Sequence, residues 1–121
     1  NIIFTGYLPY KQTQTILKKS EILVVPSIWQ EPFGLVIAEG MMHGCAIVTS
    51  DKGAIPEIIE DKGIILQDIN VDKITSAIES LITNNILRKK LQSRACSLFQ
   101  FTSSNSSKKL DKLRQTILKK K

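Results

Sequence analysis

Four short apolar runs constrain this chain more than any other feature: Ile2 to Phe4, Ile22 to Val25, Ala46 to Val48 and Ile64 to Leu66. They are rich in β-branched residues and do not alternate with polar ones, the pattern of strands buried on both faces. Between them lie helical stretches, from about Tyr10 to Ser20, from about Phe33 to His43, and a short turn near Pro56 to Asp61 that Pro56 can open at its first position. Strand, helix, strand in this order predicts an α/β fold with a parallel sheet and right-handed crossovers.

After Asp68 the pattern turns to helices alone. Ile74, Ala77, Ile78, Leu81 and Ile82 fall on one face of a first helix, and Leu87, Leu91, Ala95 and Leu98 on one face of a second. Asn70 and Asn85 stand where a cap belongs. Thr102 to Ser107 reads as a polar loop before a last amphipathic helix with the stripe Leu110, Leu113 and Ile117. The expected division is residues 1–101, a folded α/β unit, and residues 102–121, a polar loop and basic helix.

Composition excludes several classes. The 121 residues leave room for one domain, and 42% hydrophobic with 23% charged content excludes a disordered or collagen-like chain. No apolar run approaches the roughly 20 residues of a spanning helix, and the opening NIIFTGYLPY lacks the features of a secretory signal, so a soluble cytoplasmic chain is expected. Opening at Asn1 and entering a strand-like run at once, the chain is expected to be a piece of a longer polypeptide. Cys45 and Cys96 sit in apolar helical patterns and read as reduced core thiols; with one histidine, no metal site is expected. Charge is uneven: residues 1–70 carry 5 basic and 8 acidic side chains, net −3, whereas residues 71–121 carry 12 and 3, net +9. The first half is the expected home of chemistry, and the second of an anionic contact or of solvated helix faces.

In an open parallel sheet, ligands bind beyond the carboxyl ends of the strands. Two loops leave such ends, Pro26 to Pro32 and Ser50 to Ile55, and they should face one ligand. The first leads into a helix starting near Phe33 or Gly34, whose early N–H groups have no intrahelical partner and suit a phosphate. That helix is apolar nearly all round through Leu35, Val36, Ile37, Ala38, Met41 and Met42, yet holds Glu39 in its second turn, a costly place for a carboxylate without a partner. Glu31 and Glu39 bracket the phosphate-suited helix start. They cannot help bind an anion, so they either meet hydroxyls, as of sugar and ribose flanking a diphosphate, or stand apart, Glu39 pairing with His43 and Glu31 solvated. Lys52 in the second loop either offers charge to a diphosphate or is an ordinary surface lysine.

The run EPFGLVIAE, Glu31 to Glu39, resembles the signature of family 4 glycosyltransferases, retaining enzymes of the GT-B fold: two glutamates with seven residues between them, preceded by a strand ending in Pro-Ser, here Pro26 and Ser27. HGCAIVTSDKGAIPEIIEDKGIIL continues the likeness, which covers about residues 1–101. The resemblance implies a partial Rossmann-like sheet, the latter part of the C-terminal nucleotide-sugar-binding domain, followed by C-terminal helices. It implies transfer of a sugar from a nucleoside diphosphate donor, with retention, in polysaccharide or glycolipid biosynthesis. Carried over, Glu31 is the catalytic carboxylate and meets donor sugar hydroxyls; Phe33, Gly34 and Leu35 contact sugar and diphosphate through their amides, with Val36 at the same helix start. Glu39 holds ribose. Ser50, Lys52, Gly53 and Ala54 line the base and phosphate region, with Glu57 ordering that loop. The resemblance also implies no cofactor and no metal, because helix dipole and basic side chains take the leaving group's charge.

Three positions depart from the family pattern: Gly40 replaces a common alanine, which weakens the helix by up to about 1 kcal/mol, Ala46 a frequent proline, and Ala54 a second glycine. The family's acceptor domain and the first half of its donor domain would lie before Asn1, so the segment alone is expected to be inactive. Rival readings are an inactive fragment, a noncatalytic α/β module such as a receiver domain, whose paired acidic residues are replaced after the first run by Thr5, Gly6, Tyr7 and Leu8, and a nucleic-acid binder. Phe99 and Phe101 are the only aromatics of the basic half and fit a packed helix end, so no nucleic-acid partner is expected. The last helix, with Lys108, Lys109, Lys112, Arg114, Lys119, Lys120 and Lys121, suits docking on a partner domain rather than an anionic surface at the inner membrane face, since three apolar residues are few for insertion.

Overall fold

The computed structural model describes residues 1–97 and 103–118. Three strands, β1 (Ile22–Val25), β2 (Ala46–Ser50) and β3 (Gly63–Leu66), form a parallel sheet in the order β1-β2-β3. Ile22 pairs with Ala46 and Val25 with Thr49, and Ile47 pairs with Gly63 and Ser50 with Leu66. All of β2 is buried, as its uninterrupted apolar start requires. Its side chains alternate between two cores. Ile47 belongs to one, with Leu17, Ile37, Met41, Ile55 and Ile59; Ala46 and Val48 belong to the other, with Ala77, Leu81 and Leu91.

The helices follow from those two cores. α1 (Tyr10–Leu17), α2 (Leu35–Met42) and α3 (Ile55–Ile59) supply the first. α4 (Val71–Thr83) supplies the second, and α5 (Asn85–Ser97) reaches both through Ala95 and Leu91. α3 starts at Ile55, one residue ahead of Pro56, which still sits in the first turn where its missing N–H costs nothing. Asn70 caps α4, its Oδ1 accepting from Lys73 N at 2.9 Å. Gly40 is a packing residue rather than a mere weak point of α2: a Cβ there would lie 2.3 Å from Leu23 Cδ2 and 3.1 Å from Ile47 Cδ1.

At the amino ends of the strands, acidic groups are matched by cations. Glu21 pairs with Arg88 Nε at 2.8 Å, Asp61 with Arg94 at 2.6 Å, and Glu60 with the buried Lys62 at 2.7 Å. Arg88 also donates to Leu81 O at 2.7 Å and Ile82 O at 3.3 Å, closing the end of α4. His43, at the end of α2, meets Gln14 of α1, whose buried Nε2 has no acceptor among the described residues.

Several expectations are corrected. Ile2 to Phe4 is not a strand and stands exposed, because among the described residues no strand lies beside it to take its backbone groups. The cap of α5 is Asn84, whose Oδ1 accepts from Leu87 N at 2.9 Å; Asn85 is already the first helical residue. Residues 103–107, expected as loop, open α6 (Ser103–Leu118), where serine and asparagine side chains suit a first turn of unpaired N–H groups. Cys45 is buried as expected, but Cys96 is exposed, lying about 100° around α5 from the buried Ala95. Leu98, Phe99, Phe101, Thr102, Lys119, Lys120, Lys121 and the boundary at 101/102 lie outside the described residues. Leu110, Leu113 and Ile117 of α6 are exposed. Among the described residues no helix is long and apolar enough to cross a membrane.

Candidate functional site

The loops leaving β1 and β2 are joined to each other at the carboxyl end of the sheet. Gly53 N donates to Gln30 Oε1 at 2.7 Å, and Ala54 N donates to Glu31 O at 2.8 Å. Gly53 makes this approach possible in two ways. Its φ of 61° lies in the left-handed region, and a Cβ there would sit 2.2 Å from Glu31 O and 2.5 Å from Glu31 N. The two loops are therefore tied together, by one backbone-to-side-chain and one backbone-to-backbone bond, across more than twenty residues of chain.

Glu31 is half-buried and held. Its Oε1 accepts from Ser27 Oγ at 2.9 Å and from Trp29 Nε1 at 2.7 Å, which fixes the carboxylate against its own loop. Among the described residues nothing donates to Oε2. A solvated loop charge is thus the wrong description of Glu31: two neutral donors occupy one oxygen and leave the other available.

Gly34 caps α2 at φ 72° and ψ 56°, and its carbonyl accepts from Ile37 N at 3.0 Å and Ala38 N at 3.2 Å. The N–H groups of Leu35 and Val36 precede the first intrahelical bonds and meet no acceptor among the described residues. Glu39 lies about 6 Å further along the helix axis. It is half-buried, with no hydrogen bond or ion pair to its carboxylate among the described residues. The alternative pairing with His43 is not made, since His43 turns to Gln14. Leu35, Val36 and Met42 put apolar surface on the exposed side of α2.

The second loop differs in part from its expected form. Ser50 is fully buried at the end of β2, and its Oγ has no partner among the described residues. Lys52 is bound to Asp51 at 2.8 Å, so its charge is already half-matched. Glu57 is exposed and makes no described hydrogen bond to the loop; Gln30 and the Glu31 carbonyl order it instead. Burial pushes the Cys45 thiol above its ordinary range, well away from this end of the sheet.

Two open depressions meet at Glu31. One, of about 480 Å³, includes Pro26, Ile28, Trp29 and Val36. The other, of about 260 Å³, includes Pro32, Phe33, Gly34 and Leu35. Sequence reasoning missed Trp29 and Gln30. The only local signal for them was a ring and an amide placed between Ser27 and Glu31.

A parallel sheet with loops tied together at its carboxyl end, beside unpaired helix N–H groups and two glutamates, makes this an α/β domain with a candidate ligand site at that end. The family model described as Glycosyl transferases group 1 matches residues 1–97, and the chain belongs to that family. Spore coat protein SA of Bacillus subtilis is 31% identical over 94 residues, covering 75% of this chain and 25% of that protein. O-antigen chain mannosyltransferase B of Escherichia coli is 32% identical over 77 residues, 64% of this chain and 20% of its own. The solved structure of sucrose-phosphate synthase from Thermosynechococcus elongatus matches 98% of this chain and 31% of that one, with a TM-score of 0.74 at 22% identity. That likeness establishes the fold, the α/β architecture of a GT-B domain. The chain thus spans a third or less of each of these proteins.

Proposed function

We propose that the chain is the donor-binding part of a retaining family 4 glycosyltransferase that moves a sugar from a nucleoside diphosphate sugar to an acceptor. The observation that carries this reading is the state of the two glutamates: Glu31 has one oxygen fixed by Ser27 and Trp29 and one left over, and Glu39 has no described partner at all. Ionised carboxylates only accept hydrogen bonds, and on a nucleoside diphosphate sugar the hydroxyls of sugar and ribose are the donors they can meet here. Glu31 takes those of the transferred sugar, and Glu39 those of ribose. The diphosphate lies at the start of α2, against the amides of Leu35 and Val36 with Phe33 and Gly34 alongside, where the helix dipole favours negative charge. Ser50, Lys52, Gly53 and Ala54 border the base and phosphates.

No metal enters this reading. The developing charge on the leaving diphosphate is met by the helix start and by basic groups of the longer protein, which also supplies the acceptor site; the isolated chain does not catalyse. We assign the exposed stripe of α6 to contact with protein rather than with an anionic membrane.

The test uses the longer protein containing this segment. Removing a charge-assisted hydrogen bond worth about 1.5–3 kcal/mol changes a rate or binding constant about 10–100-fold. Glu39→Ala should raise the donor KM by that factor with kcat little changed, Glu31→Ala should chiefly lower kcat, and chelators should change neither constant of the parent. Unchanged donor kinetics in both variants would refute the assigned roles. Activity lost to a chelator and restored by a divalent ion would overturn the metal-free reading.

A further inference from the structure

Trp29 is the chain's single tryptophan and stands 65% exposed. A large aromatic side chain with an apolar body and one polar handle is costly to leave in water, and this one is not free to turn away, because its Nε1 is bonded to Glu31. Ser27 binds the same carboxylate oxygen, so indole, hydroxyl and carboxylate form one fixed unit. The ring borders the depression of about 480 Å³ with the apolar side chains of Pro26, Ile28 and Val36. An oriented aromatic face thus lies beside a carboxylate whose second oxygen accepts from nothing described.

A pyranose ring presents the complementary chemistry. One face is a patch of C–H groups that packs on an aromatic ring, and its edge carries hydroxyl donors. A few polar groups beside an aromatic wall are the usual make-up of a site for a small polar ligand.

We propose that Trp29 is the stacking platform of a pyranose subsite, the sugar ring lying on the indole in the depression beside Ile28 and Val36. The subsite rests on the reading of Glu31 as a partner of sugar hydroxyls and adds the residue that binds the ring's apolar face. Both a donor sugar and an acceptor sugar have this chemistry. The indole bond to Glu31 gives Trp29 a second effect, since whatever tilts the ring also moves the carboxylate.

Because the tryptophan is unique, the chain reports on its own site. Methyl glycosides of mannose, glucose and galactose, titrated into the full chain, should change its fluorescence saturably for at least one sugar, at about 1–10 mM, a range fitting one ring and few contacts. Saturation-transfer NMR on the bound glycoside reads the same site in variants that lack the fluorophore. Trp29→Ala should abolish the transfer; Trp29→Phe, which keeps a ring but not the bond to Glu31, should bind within about tenfold of the parent. In the longer protein, whose basic groups complete the diphosphate site, displacement of the glycoside in saturation-transfer NMR by a nucleoside diphosphate sugar, but not by the nucleoside diphosphate, assigns the platform to the donor ring, and indifference to both assigns it to the acceptor. No response to any glycoside at about 100 mM, with the far-ultraviolet circular dichroism of the chain intact, would overturn the platform, as would undiminished transfer in Trp29→Ala. Glu31→Gln separates the two readings: glycoside binding unchanged in that variant but lost in Trp29→Ala would remove Glu31 from sugar recognition and leave the platform standing.

Discussion

The two ends of the sheet handle charge in opposite ways. At the amino ends, Glu21, Glu60 and Asp61 each have a cation within 2.8 Å, and Arg88 adds bonds to the last carbonyls of α4. At the carboxyl ends Asp51 has Lys52, but Glu31 and Glu39 have no cation among the described residues, and two helix N–H groups point at no described acceptor. The three acidic groups just before β1 and β3 are matched, whereas the two glutamates that bracket the start of α2 are not. Unmatched half-buried groups lower stability, so they persist where a ligand completes them. The contrast is the physical ground for the site proposed at the carboxyl end.

The largest expected effect tests whether the open end is built or merely loose. Gly53→Ala places a Cβ against the Glu31 backbone and holds a non-glycine residue at φ 61°. Neither the Glu31 peptide nor the loop end can yield without breaking the bonds from Gly53 N to Gln30 and from Ala54 N to Glu31. Overpacking and left-handed strain each cost about 1–3 kcal/mol, so a loss of about 3 kcal/mol in urea unfolding is expected. A loss under about 1 kcal/mol would mean that the loops part freely and that the carboxyl end is not pre-formed.

How far this contrast was legible in the sequence depends on the distance over which each feature is encoded. β1, β2 and β3 follow from local runs, because burial on both faces leaves no room for alternation. Ile2 to Phe4 has the same local pattern and fails as a strand, since pairing depends on a neighbour that composition cannot reveal. The bracketing of the helix start by Glu31 and Glu39 was readable, as both lie within one loop and one helix. That Gln30 reaches Gly53 was not: a contact spanning 23 residues has no local signature until the backbones are placed. Lys52 looked free for the same reason as Cys96 looked buried. A side chain's partner depends on its direction, and neither spacing nor composition states it.

Arg88→Ala probes the closed end. It removes the donor to Leu81 O and Ile82 O and leaves Glu21, itself 67% exposed, without its cation. The exposed ion pair adds little. The charged bond to Leu81 O and the packed stem account for most of an expected loss of about 2 kcal/mol. Arg88→Lys should recover only part of it, because an ammonium cannot reproduce the fork that reaches α4 and Glu21 together. In the longer protein, donor KM should stay as in the parent for both variants. A changed KM would show that the two ends are coupled and that the contrast is not one of stability against binding.

The smallest expected effect is also the sharpest, because its sign differs from the others. Glu39 sits one turn inside α2, half-buried, with no described group bonding its carboxylate. Alanine is a better helix former by a few tenths of a kcal/mol and carries no charge to desolvate. Glu39→Ala should therefore leave the urea midpoint unchanged or raise stability by up to about 1 kcal/mol, in the chain that loses donor affinity by the same substitution. A residue that weakens its own fold while improving binding is the expected mark of a functional position. Loss of more than about 1 kcal/mol would mean that Glu39 already has a structural partner. In that case the carboxyl end is no more open than the amino end, and the assignment of ribose to Glu39 fails with it.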